Sequence, residues 1–186
     1  DLKLHATDVL PIMTFPNFEV DPLAAITASL AKLNEDERSV IQVLIRPVPS
    51  GWYAKSQKYI EGMQSQSLGL TKLLLSGTDA SSGVKLSPQQ QARIKGAEDK
   101  AQKLMYETKI RIIYQGNTDA QHAKMRLQAI VAAFKQFNST NLNGFTSGAV
   151  ANIANHRKSY DERSFVSRGS MLNIEELASL FHLPHT

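Results

Sequence analysis

Apolar residues recur along this chain at two spacings, every second position in short runs and every third or fourth in longer ones, and the switch between them lays out its elements. From Val9 to Phe15, Leu10, Ile12 and Thr14 alternate with Val9, Met13 and Phe15, which predicts a first strand. Pro11 cannot donate a ladder hydrogen bond and belongs at that strand's start or on an edge. Asp21-Pro22 supplies an N-cap and a first-turn proline, and Leu23, Ile26, Leu30 and Leu33 fall on one helical face. The β-branched run from Val40 to Arg46, ended by Pro47 and Pro49, predicts a central strand with Ile41, Val43 and Ile45 on one side.

Ser50 is placed to cap a helix with Trp52, Ser56, Tyr59, Ile60 and Met63 on its buried stripe. The Ser-, Gly- and Thr-rich stretch from Ser65 to Ser87, with an apolar island at Leu73-Leu74-Leu75, predicts a surface loop. Ser87-Pro88 opens another helix, in which Ile94, Ala97, Ala101, Leu104 and Met105 recur at helical spacing. From Thr108 to Tyr114, Ile110, Ile112 and Tyr114 alternate with Lys109, Arg111 and Ile113, the pattern of a half-buried strand.

Asn117 or Thr118 then starts a long helix with Ala123, Leu127, Ile130, Val131 and Phe134 inward. Two glycines break up Asn141–Val150, which predicts a short edge strand or an irregular hairpin arm. The polar segment through His156-Arg157-Lys158 and from Arg163 to Arg168 reads as loop. Asn173 with Glu176 three residues on forms a capping box for a last helix, apolar at Leu177, Leu180 and Phe181 and stopped by Pro184.

Strand, helix, strand, helices, strand, helix, strand is the order of two split βαβ halves. The expected fold is α+β, a ferredoxin-like two-layer sandwich with a helical insertion between strands 2 and 3 and a C-terminal helix. The α+β domain would span residues 1–150, with the insertion at about 51–105, and a loop and helix would follow over 151–186.

Length and composition narrow the function classes. A chain of 186 residues, 42% hydrophobic and 20% charged, suits one well-cored domain and is far from the composition of disorder. The net charge of +4, from 21 basic and 17 acidic residues, is too thin an excess to decide for an acidic partner. The absence of cysteine removes disulfides, thiolate metal sites and a cysteine nucleophile. No apolar run reaches the roughly 20 residues of a membrane helix, so a soluble segment is expected. The chain begins without methionine and ends just past a helical pattern, which suggests a piece of a longer protein.

Complete catalytic motifs are missing. The glycines around Gly77–Lys85 miss the spacing of a phosphate-binding loop: Val84 intrudes before Lys85, and Leu86 stands where a magnesium-binding hydroxyl belongs. His182 and His185 are separated by the helix-breaking Pro184, and a helix-end contact explains them better than a metal. Glu175 and Glu176 fit N-terminal capping, and Glu35-Asp36-Glu37 fits a solvated turn. Trp52 beside Tyr53 fits core filling better than a recognition surface. A Gly-x-Ser-x-Gly elbow is absent. No catalytic, cofactor-binding or metal-binding residue is therefore assigned. The basic residues Lys109, Arg111 and Lys124 are candidates for salt-sensitive nucleic-acid contact, although the exposed stacking aromatics of an RNA-binding sheet are lacking.

Three stretches carry a resemblance: Leu10-Pro11-Ile12 through Phe18-Glu19-Val20-Asp21-Pro22-Leu23; Ile41-Gln42-Val43 to Arg46-Pro47 with Trp52; and Met171-Leu172-Asn173-Ile174-Glu175-Glu176-Leu177-Ala178-Ser179-Leu180-Phe181-His182-Leu183-Pro184. Together they resemble the region ahead of the motor in bacterial HerA/FtsK-like ATPases of type IV secretion and conjugative DNA transfer. The last stretch is the specific one. The resemblance implies a non-catalytic accessory domain that positions a ring-forming motor, with the ATPase residues in a following domain. Its implied partners are that ATPase domain, neighbouring ring subunits and DNA, with no cofactor and no small-molecule substrate in this segment. The implied location is cytoplasmic, at the inner face of the membrane through an anchor outside the segment. Leu177, Leu180, Phe181 and His182 are then the candidate contacts to the following domain. A nucleic-acid-binding α+β module and a small enzyme on a ferredoxin-like scaffold are the alternatives.

Overall fold

The computed structural model describes residues 1–15, 17–48, 51–74 and 86–182. Among them the order is β1 (Leu2–Leu4), α1 (Pro22–Leu30), β2 (Arg38–Pro47), α2 (Trp52–Leu74), α3 (Pro88–Ala101), β3 (Met105–Gln115), α4 (Ala120–Ala133), β4 (Phe145–Ser147), α5 (Arg157–Asp161), β5 (Ser170–Asn173) and α6 (Ile174–Leu180). The five strands form one antiparallel sheet in the order β2-β3-β1-β4, with β5 also paired to β3. β3 is the axis of this mixed α/β fold. One edge pairs with β2 from Arg38↔Gln115 to Pro47↔Tyr106. The other is shared by β5, over Met105–Thr108, and β1, at Leu2↔Ile110.

Alternation along β3 divides the core. Tyr106, Ile110 and Ile112 face α1 and α4, where they join Leu2, Ile26, Ile130, Phe134, Phe137, Phe145 and Leu172. The rings of Phe18, Phe134 and Phe145 gather around Phe137 with centroids 5.4–6.1 Å apart, mostly edge to face. On the opposite face, Met105 and Met171 pack under Trp52 of α2 and Ala101 of α3. A third cluster joins Val9, Leu10 and Ala97 to Tyr59 and Ile60, fixing the α2–α3 hairpin against the chain that follows β1.

The helix caps match the sequence reading: Asp21 and Ser87 cap α1 and α3, and Asn173 with Glu176 forms the capping box of α6. For α4 the cap is Asp119, just beyond the expected Asn117 or Thr118. The expected cap at Ser50 and the stop at Pro184 lie outside the described residues.

Several expectations change, among them the loop expected through residues 156–168, which holds the short helix α5. Val9–Phe15 is not a strand; β1 is Leu2–Leu4. The segment is a strap, buried at Val9, Leu10 and Ile12, whose amides bond to other groups instead of a ladder: Ile12 to Glu176 Oε1 at 2.9 Å, Met13 to Phe137 O at 2.9 Å and Phe15 to Ser179 Oγ at 3.1 Å. β2 is an edge strand, not a central one, with Val43 and Ile45 partly exposed. The expected loop from Ser65 is helical as far as Leu74, where α2 ends, and residues 75–85 lie outside the described ones. Met105 opens β3 instead of closing α3, and Ser170–Asn173 is an additional strand.

Candidate functional site

The face of β3 turned away from α1 and α4 carries Glu107, Lys109 and Arg111, all three buried. Arg46 Nε reaches Glu107 Oε2 at 2.7 Å, and the Gly169 amide donates to Glu107 Oε1 at 2.7 Å. Burial alone would raise the Glu107 carboxyl, but these donors outweigh it and hold it below the usual carboxylate value. Lys109 Nζ donates to Val166 O and, at 2.9 Å, to Ser167 Oγ. Arg111 donates to Gln42 Oε1 at 3.0 Å, Ser159 O at 2.9 Å and Ser164 O at 2.6 Å.

These bonds turn the polar stretch 156–168 into a cover for the sheet. Arg163 and Ser167 adopt left-handed φ values of 51° and 64°, which cost non-glycine residues about 1–2 kcal/mol each. The charge-assisted bonds to Ser164, Val166 and Ser167 lie at those two bends and offset the strain. Among the described residues Asp1 is the carboxylate within ion-pair distance of both cations, at 3.6 Å from Lys109 and 3.8 Å from Arg111. Burial, followed by the neighbouring Arg111 and Arg46 charges, lowers the Lys109 amine; burial lowers Arg111.

Beside this network lies a groove of about 720 Å³ between α4 and the segment around 147–153. Lys109, Arg111 and Lys124 all line it, so the fold brings together the three basic residues singled out from sequence. They are not equivalent. Lys109 and Arg111 are bonded internally, whereas Lys124 is exposed at the rim with no ion pair among the described residues.

A second ionic cluster was not anticipated. Glu37 is buried, and its carboxylate accepts from the Asn34 amide at 2.8 Å, Tyr114 OH at 2.7 Å and Arg126 Nη2 at 2.9 Å, with His122 Nε2 at 2.8 Å. The Asn34 amide, then the Tyr114 hydroxyl, hold this carboxyl at about 2 against the opposing effect of burial. Of the solvated acidic turn expected at residues 35–37, Glu35 and Asp36 are exposed as expected, while Glu37 is a clamp joining the start of β2 to the end of β3 and to α4. The sequence signal, Glu37 directly before the β-branched run, is indistinguishable from a solvated turn until β3 and α4 are placed. The groove lining includes none of Glu37, His122 and Arg126.

The third cluster lies at α6. Lys100 and Glu176 are fully buried, and Lys100 Nζ lies 3.1 Å from Glu176 and donates to Met171 O at 2.8 Å and Leu10 O at 3.3 Å. Burial lowers the Lys100 amine against the pull of Glu176. Glu176 also accepts from the Asn173 amide at 2.7 Å, so it completes the cap expected of it and adds a buried ion pair. Leu177 and Leu180 point into the main core. Phe181 is 75% exposed, and His182 is half-buried with Nε2 at 3.3 Å from Asp21. The outward side of the helix is thus Ile174, Glu175, Ala178 and Phe181, with Glu175 paired to Lys103. Leu104 flanks Ile174, whose amide bonds to Leu104 O at 2.9 Å, and Phe15, also 75% exposed, lies by Ser179.

Trp52 fills the core as expected while Tyr53 stays outside. The Gly77–Lys85 and His185 positions lie outside the described residues. Among the described residues no group of three or more His, Asp or Glu side chains is disposed to hold a metal.

Fold and site define a mixed α/β domain whose buried ionisable side chains are tied to one another and to its own carbonyls. The chain belongs to the family described as Domain of unknown function (DUF8128), whose model matches residues 1–186. No curated protein and no solved structure matches it.

Proposed function

We propose that this chain is a non-catalytic positioning domain of a type IV secretion or conjugative DNA-transfer ATPase, docking a following motor domain or a neighbouring ring subunit. The observation that carries the reading is α6, which lies in the stretch bearing the family resemblance. One side of this short helix is locked into the core by Leu177, Leu180 and Glu176, and the other presents Ile174, Ala178 and Phe181 beside Leu104 and Phe15. A rigidly held helix with a second, uncovered apolar side is suited to bury that side against another domain. Of the expected contacts, Leu177 and Leu180 turn into the core, while Phe181 and the half-buried His182 stay on the outside, where Ile174 and Ala178 join them.

The fold is read as ferredoxin-like. In the order β2-β3-β1-β4, β3 fills the gap between β1 and β2, and β1 fills the gap between β3 and β4, as in two interleaved split βαβ units. β5 and α6 are additions to it. Among the described residues no helix is long and apolar enough to cross a membrane. An inner-membrane location would come from an anchor outside this segment.

The alternatives have weaker support. Direct nucleic-acid contact would draw on Lys109 and Arg111, whose donors are engaged with Val166, Ser159 and Ser164. An enzyme built on Glu37, His122, Tyr114 and Arg126 would need space for substrate beside them. The test is Ile174→Asp with Phe181→Asp in the full-length protein. Loss of motor-domain or ring association at unchanged melting temperature is expected; intact association, or ATP turnover by residues 1–186 alone, would overturn the reading.

A further inference from the structure

The segment 156–168 lies over β3 without joining the apolar core. None of its residues is buried, and none is part of the three apolar clusters. Among the described residues no backbone-to-backbone hydrogen bond ties 157–168 to the sheet, and strand pairing resumes only at Ser170↔Thr108. The segment instead carries bonds of its own: the Tyr160, Glu162, Arg163 and Ser164 amides donate to the His156, Lys158, Tyr160 and Ser159 carbonyls at 3.0–3.1 Å. A piece of chain that is bonded within itself and buries little apolar surface against its surroundings opens as a unit at low cost.

Side chains of the sheet hold this piece down. Arg111 donates to Ser159 O and Ser164 O, and Lys109 to Val166 O and Ser167 Oγ. Gln42 adds a bond to Tyr160 O at 3.3 Å, the Arg46 guanidinium lies 4.0 Å from the centre of the Phe165 ring, and Arg168 pairs with Asp8 at 3.3 Å. The Gly169 amide is fixed to Glu107 Oε1, and a side chain at Gly169 would come within 2.5 Å of Thr108 O, so the hinge lies flat on β3. The hydrogen-bond acceptors on Lys109 and Arg111 are neutral carbonyls and a hydroxyl, with the Asp1 carboxylate standing back at 3.6 and 3.8 Å. Opening also releases the left-handed bends at Arg163 and Ser167.

We infer that residues 156–168 are a lid latched on Lys109 and Arg111, that the lid opens while the sheet stays folded, and that the opened latch takes a phosphate group. The two cations stand two positions apart on one face of β3, about 7 Å along the strand, a span that their long side chains close around one tetrahedral oxyanion. A charged oxygen is a stronger acceptor for both than the carbonyls it displaces. Because the closed lid fills these donors, phosphate competes with the lid instead of binding beside it. The inference is independent of docking at α6, since neither the lid nor its latch includes a residue of that helix.

The experiment acetylates the full-length protein and reads each lysine by mass spectrometry. Lys109 lies under the lid and Lys100 between α3, β5 and α6, with 6% and 0% of their side chains exposed, while Lys124 is exposed throughout. Lys109 is expected to react more slowly than Lys124 but about 10-fold or more ahead of Lys100, with little acceleration by urea below the unfolding range. Phe165→Ala, which removes the ring beside Arg46, should speed Lys109 about 2- to 5-fold and leave Lys100 unchanged. Inorganic phosphate, compared with chloride at equal ionic strength, should slow Lys109 and speed trypsin cleavage after Arg163. Oligo-dT at equal phosphate content tells the sources apart: an effect of oligo-dT alone assigns the latch to a nucleic-acid backbone, and an effect of inorganic phosphate supports a small phosphorylated ligand. Equal rates at Lys109 and Lys100 would overturn the lid, and no response to either phosphate source would overturn the site.

Discussion

On the side of α1 and α4 the sheet buries Leu2, Ile110, Phe145 and Leu172 among the phenylalanines of the main core; one residue along the same strand, the other side buries Glu107, Lys109 and Arg111. The first side is held by apolar burial, which is non-directional and depends on area and packing. The second is held by charge-assisted hydrogen bonds from Arg46, Lys109 and Arg111, which require each acceptor at a particular place. That requirement gives the 156–168 segment, short helix α5 and left-handed residues included, a defined path. The apolar side supplies stability, and the polar side supplies the position of a loop that walls the groove.

Truncation on the apolar side should produce the largest effect. Phe137→Ala empties the centre of the aromatic cluster and should cost about 3–5 kcal/mol, read from the shift in urea unfolding. A loss under about 1 kcal/mol would mean that the aromatic cluster is not the main support. Next comes Lys100→Met, at the point where the α3 side meets α6. It leaves Glu176 buried without its cation and should cost about 3–5 kcal/mol, with part of the loss recovered by adding Glu176→Gln.

A smaller and more local effect is expected of Arg111→Leu, which orphans the Ser159 and Ser164 carbonyls at about 1–3 kcal/mol. Faster amide exchange and proteolysis should be confined to residues 157–168 and spare the phenylalanine cluster. Uniform unfolding instead would erase the distinction between the two faces.

The Glu37 clamp sharpens the comparison through pH. Its folded value of about 2 lies below the ordinary glutamate value near ~4.3. Its contribution is therefore fully present above ~4.3 and is lost as pH falls from there toward 2. Melting temperature measured from pH 6 to pH 2 should fall less steeply in Glu37→Gln than in the parent chain. The smallest change is expected of Lys158→Ala, whose exposed pair with Glu162 at 3.9 Å should move stability by no more than ~0.5 kcal/mol.

Much of the local structure is legible in the residues. Asp21-Pro22, Ser87-Pro88 and Asn173 with Glu176 mark helix starts because capping is decided within one turn of chain. The alternation of Ile110, Ile112 and Tyr114 identifies β3 for a similar reason. Val9–Phe15 misleads because its alternation is satisfied by side-chain acceptors on α6 and by Phe137 O instead of a neighbouring strand. The run in β2 is equally apolar at an edge or in a centre, so periodicity does not give its place in the sheet. Lys109, Arg111 and Lys124 were recognisable as basic residues of interest, but the groove they share depends on α4 and residues 147–153 folding back beside β3.

By itself, then, the order of residues determined the caps, the alternation of β3 and the absence of a complete catalytic motif, all of which depend on neighbours a few positions away. Tertiary structure alone decided that Glu37 meets Tyr114, His122 and Arg126, that Lys100 meets Glu176, and that Lys109, Arg111 and Lys124 share one groove. Those outcomes join positions far apart in the chain. Whether a charge is matched or left over is set by three-dimensional packing, which local spacing does not encode.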